Sequence, residues 1–164
     1  ANMGVADYAF ELGKDIGLEN NKISNILTIA NIISISGGAL VYLIGTKYGR
    51  TLPLIIGIST SAIFTFLLHY SDNVSIYFIA NTFTGIAWGF TIPYILGLCS
   101  TFDMHGQMAA LAGFISKMGL ATGPLIGSLF IINNGINFII NIAVVSLCIS
   151  LIAVWLSSRA TKEN

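Results

Sequence analysis

The sequence predicts an all-α fold, a polytopic transmembrane helix bundle of five complete spans plus the end of a sixth helix, and three observations carry that prediction. Of 164 residues, 55% are apolar and only 9% are charged, whereas soluble domains carry about 25% charged residues. The charges gather at the two ends, with Asp7, Glu11, Lys14, Asp15, Glu19 and Lys22 near the start and Arg159, Lys162 and Glu163 at the finish. Between these ends run five mostly apolar stretches, each close to or beyond the roughly 20 residues that a helix needs to cross a hydrocarbon core.

Residues 1–22 mix Met3, Val5, Ala6, Tyr8, Ala9, Phe10 and Leu12 with six charges, too many to cross a membrane alone. They read as the last turns of a truncated transmembrane helix followed by a polar loop. Asn20, Asn21 and Ser24 then supply the capping chemistry with which a helix begins. The five spans of a 23–158 bundle are expected at 23–45, 51–70, 75–101, 106–132 and 136–158, with a tail at 159–164. Breaks at 46–50, 71–74, 102–105 and 133–135 are short enough to force neighbouring spans antiparallel. The chain opens on Ala1 with no basic segment, apolar core and cleavage site behind it. It reads as a piece of a longer protein.

Lys and Arg in short loops favour the cytoplasmic side. The 46–50 loop and the tail hold Lys47, Arg50, Arg159 and Lys162, the 71–74 and 133–135 loops hold none, and Lys14 and Lys22 lie among acidic neighbours. The C-terminus is therefore expected in the cytoplasm, with the chain integral to a plasma or bacterial inner membrane. Seven basic residues against seven acidic ones, without a basic patch, remove the electrostatic footprint of a nucleic-acid binder. Cys99 and Cys148 lie in apolar runs at no metal-ligand spacing and read as small core residues. His69 and His105 fall at span ends and read as interfacial. No metal site, cofactor or catalytic nucleophile–base pairing is expected, and the chain does not read as an enzyme.

Within the spans, polar residues recur at helical spacing. Asn81, Thr84, Trp88, Thr91 and Ile95 share one face of the third span, a plausible ligand wall, and Ser24, Thr28, Asn31, Ser34 and Gly38 form a second stripe in the first. Each stripe could equally glue helices together. Lys117 costs about 2.5–3.5 kcal/mol to place deep in a span, so it should face a cavity or protein, or else snorkel to the interface. It shares a face with Gly113, Ala121 and Pro124, nearly opposite Gly119, Gly123 and Gly127, whose four-residue repeat suits close helix contact. Gly85 and Gly89 repeat that spacing in the third span. Asp7 and Glu11, one turn apart if the first helix continues through them, read either as a solvated helix end or as carboxyls placed for proton coupling. The cavity set expected from the residues is Asn31, Asn81, Thr84, Trp88 and Lys117.

The stretch Gly45-Thr46-Lys47-Tyr48-Gly49-Arg50 resembles the second-half copy of the cytoplasmic Gly-Asp-Arg-x-Gly-Arg loop of the major facilitator superfamily. Gly45, Lys47, Gly49 and Arg50 carry the likeness, and Thr46 stands where the family has Asp. The run from Gly113 to Pro124 is similar to the family's glycine-rich eleventh helix, and Asp103-Met104-His105-Gly106 to the short loop before it. The chain thus resembles the second half of such a transporter, from the end of helix seven through helix twelve. The resemblance implies secondary transport of a small solute by alternating access, coupled to a proton or ion, with a missing N-terminal six-helix half as partner in the bilayer. The competing expectation is a non-transport membrane scaffold or assembly subunit.

Overall fold

A computed structural model of the chain describes residues 5–101 and 107–162, so Phe102–Gly106, with the loop likeness there and His105, lies outside the described residues. Every extended element described is helical. Helix α1 runs Ala9–Asp15, α2 Asn20–Ser34, α3 Ser36–Ile44, α4 Thr51–Leu67 with a 3-10 turn at Leu68–Tyr70, α5 Val74–Thr101, α6 Gln107–Asn134 and α7 Ile136–Lys162. Five segments are long and apolar enough to cross a membrane: Asn20–Ile44, Thr51–Tyr70, Val74–Ser100, Ala110–Leu129 and Ile136–Ser157.

The first span is not one continuous helix. At Ile35 the amide donates to the Ile32 carbonyl (3.2 Å), and the Gly38 amide donates to Ile35 (3.1 Å), the tighter turn that separates α2 from α3. The break sits where this span crosses α5. A Cβ on Gly37 would overlap the Ile86 carbonyl oxygen and meet the Phe90 amide at 3.0 Å, and a Cβ on Gly85 would overlap the Ser34 hydroxyl. Gly37 therefore lets two backbones touch, and Gly85 leaves room for the Ser34 side chain between the helices.

α5 is the centre of the bundle, packing against α2, α3 and, most extensively, α4, while α7 packs on the far side of α4. Two buried clusters hold these helices. Leu12, Leu68, Tyr77, Ile139 and Ile140 fill one end, and the Tyr77 hydroxyl donates to the Ala9 carbonyl (2.7 Å), tying the N-terminal segment to α5. Leu54, Ile58, Phe90 and Tyr94 fill the other. Large apolar residues such as Ile32, Leu125, Leu129 and Ile152 are exposed outside the clusters.

The 45–50 turn has its own anchors. Gly45 (φ 55°) and Gly49 (φ 72°) adopt left-handed backbone. The Tyr94 hydroxyl donates to the Gly45 carbonyl (2.9 Å), and the Arg50 guanidinium donates to the Gly97 carbonyl near the end of α5. Lys47 and Tyr48 are left exposed. Arg50 therefore connects the loop to α5 through a backbone acceptor, an arrangement that needs no carboxylate at position 46.

α6 is held differently. Only 6% of its Ala110–Leu129 window is buried. Its firm attachment is at Gly127, where an added Cβ would stand 2.6 Å from the Tyr8 ring, and the Tyr8 hydroxyl donates to the Pro124 carbonyl (3.0 Å). Gly119 and Gly113, by contrast, have open space beside them. The four-residue glycine repeat thus makes close contact at Gly127 and not at Gly119. Cys148 also departs from expectation: it is exposed, because the buried face of α7 is the one carrying Ile139, Ile140 and Ala143, and Cys148 falls off it. Cys99 is half-buried.

Candidate substrate cavity

Three elements enclose a cavity of about 580 Å³. The turn around Val5–Ala9 closes one end, α2 and the start of α3 supply Asn31, Ser34 and Gly38, and α5 supplies Asn81, Thr84, Gly85, Trp88 and Gly89. The volume lies in the range of small-molecule sites. The glycines explain the shape. Gly37 meets the backbone of Ile86 and Gly85 admits the Ser34 side chain, so side chains one turn away are left to border a hollow.

Of the residues expected in a cavity, Asn31, Asn81, Thr84 and Trp88 border this one, and so does Asp7. Glu11 does not. The chain turns at Asp7 and Tyr8 before α1 begins, which takes Asp7 and Glu11 off a common face, and Glu11 pairs instead with Lys14 on the surface (3.1 Å). Lys117 is exposed and borders neither this cavity nor the next. Its neighbours Ser116, Gly119 and Leu120 line a second, smaller cavity of about 270 Å³, which Trp88 and Thr91 border from α5. Trp88 is therefore shared between the two hollows.

The Asn81 amide nitrogen donates to the Tyr77 carbonyl (2.8 Å), and the Ser34 hydroxyl lies 2.7 Å from the Ala30 carbonyl within its own helix. One Asn81 amide N–H and the Ser34 hydroxyl proton are thus engaged by backbone, which leaves the second Asn81 N–H and the oxygen lone pairs of both side chains. The Thr84 hydroxyl oxygen is buried with no hydrogen-bond partner among the described residues. Ser34 was legible as part of the first-span stripe, three residues after Asn31, but its contact with Gly85 belongs to the crossing and carries no signal in the sequence.

A bundle centred on one glycine-crossed helix, with a polar hollow at the crossing, is a membrane-protein architecture whose family the comparisons decide. The chain matches the Major Facilitator Superfamily over residues 2–164. It belongs to that superfamily. The five apolar helices and this membership make it an integral membrane protein of a secondary-transporter family, in contact with lipid. No curated protein and no solved structure matches this superfamily member. The exposed isoleucines and leucines of α2, α6 and α7 are then surfaces for lipid or for other protein rather than for water.

Proposed function

We propose that this chain is the C-terminal half of a secondary active transporter that carries a small solute by alternating access, driven by a proton or ion gradient. The observation that carries the reading is the convergence of Asp7, Asn31, Asn81, Thr84 and Trp88 on one cavity at the α2/α3–α5 crossing. In this superfamily, substrate sites lie near the midplane between two halves. Asp7 is the carboxylate placed for coupling, since Glu11 is already engaged with Lys14. The test is gradient-driven accumulation of solutes from a defined mixture by vesicles containing the full-length protein. Accumulation above protein-free vesicles that Trp88→Ala abolishes is the expected result. Accumulation no greater than in empty vesicles under proton and sodium gradients alike would replace transport with a scaffold role.

The same reading puts 46–50 and the tail in the cytoplasm, because that loop and tail carry Lys47, Arg50, Arg159 and Lys162. In a protein with Cys99 and Cys148 replaced by Ser, a cysteine at position 73 should react with an impermeant reagent on intact cells. A cysteine at position 48 should react only after permeabilisation. The opposite pattern would invert the topology.

A further inference from the structure

The charge balance of the larger cavity has a consequence for its ligand. Its described lining contains one carboxylate, Asp7, and no Lys, Arg or His. The cation nearest in kind, Lys117, borders neither cavity. The neutral polar side chains Asn31, Asn81 and Ser34 can each turn an oxygen to a cation beside that carboxylate. A carboxylate with no cationic side chain beside it in the described lining disfavours an anion and favours a cation.

The apolar part of the site is placed apart from the charge. Asp7 stands toward the Tyr77 end of α5, because the Tyr77 hydroxyl holds the carbonyl of Ala9, two residues on. Trp88 lies eleven residues along α5 from Tyr77, about 16 Å of helix rise, and Asp7 and Trp88 both border the hollow. The indole is 39% exposed, and so is available to a ligand rather than packed into the core. Its face suits a flat apolar group or a second contact with a cation.

Building on the transport reading above, we propose that the transported solute is an elongated organic monocation, its amine or quaternary ammonium end held by Asp7 with Asn81 and Asn31, and its apolar body against Trp88. One negative charge in the lining matches one positive charge on the ligand, and the 580 Å³ hollow admits a molecule of that kind.

The test measures binding and transport separately, using phenylbutyltrimethylammonium as the probe, with phenylbutanesulfonate and phenylbutanol as anionic and neutral counterparts of like size. Thermal unfolding of the purified full-length protein in detergent reads binding, since a ligand of the folded state raises Tm in a saturable way. The cation should raise Tm, and its counterparts should not. Tetramethylammonium, which lacks the apolar body, should raise it less. Asp7→Asn should weaken the apparent affinity about tenfold or more, whereas Asp7→Glu, which keeps the charge, retains a shift. Exchange of labelled cation across vesicles reads transport. Asp7-dependent binding with exchange supports both readings, and binding without exchange keeps the cation site while removing the transporter. A sulfonate that stabilises as well as the cation, a cation affinity unchanged by Asp7→Asn, or no shift with any probe overturns the cation site, whatever the vesicles do with other solutes.

Discussion

Gly37→Ala should destabilise the bundle by about 2–3 kcal/mol, while Gly38→Ala, one residue along, should change stability by no more than about 0.5 kcal/mol. The two substitutions add the same methyl to the same span. At Gly37 the methyl would overlap the Ile86 carbonyl oxygen and crowd the Phe90 amide, both backbone atoms of α5 that cannot turn aside as a flexible side chain can. At Gly38 it meets nothing within 4 Å, although Gly38 borders the cavity. Separating α3 from α5 to admit the Gly37 methyl would also pull Ser34 away from Gly85 and open the crossing that shapes the cavity. Thermal unfolding in detergent checks the pair, with intact-vesicle transport as a second readout. Equal melting temperatures for the two variants would mean that the crossing relaxes freely and that the glycines do not set it.

The second large effect is expected at Lys117. Lys117→Met should insert as well as the parent or better, because it removes an intramembrane cation and keeps the length of the stem, yet it should lower transport about tenfold or more if the charge acts in the transport cycle. Lys117 is exposed on α6, and among the described residues no carboxylate pairs with it. A cation so placed in a span is retained for a partner or for the transport path. Because it borders neither cavity, the same variant should leave the cation-induced Tm shift unchanged, so that binding and transport separate. Lys117→Arg is a weaker probe, since a planar, permanently charged fork does not substitute for a compact ammonium. Transport by the Met variant equal to the parent at matched expression would make Lys117 a snorkelling residue and remove it from the mechanism.

Together these variants set the rigid crossing apart from the sparsely packed helix. α5 is fixed by glycine contacts and by the Tyr77, Tyr94 and Arg50 hydrogen bonds along its length. α6 is held near Pro124 and Gly127 by Tyr8, while the half carrying Lys117 has little around it. Each of these helices contains an internal proline, Pro93 in α5 and Pro124 in α6, so it is the sparse packing around α6 that sets the two apart.

Composition and periodicity alone determined that this is a bundle of apolar helices, where its turns fall, and which residues could line a polar hollow. Apolar runs of bilayer length have one stable form in lipid, in which every backbone group is satisfied inside its own helix. The third-span face was legible for the same reason: Asn81, Thr84 and Trp88 recur at three and four residues, and a helix of any surroundings puts them on one side. Which neighbour that side meets is not periodic information. Only the tertiary structure decided that Asn31 and Asp7 face the same hollow as Asn81, that Glu11 turns to Lys14, and that Lys117 stands outside. It also decided that Gly13, Gly37, Gly57, Gly85 and Gly127 are among the glycines at close contacts, while Gly38, Gly113 and Gly119 have room to spare. A glycine's spacing states only that a helix could approach there. Whether one does depends on crossing angle and register, which arise from all the packed faces together rather than from any one segment.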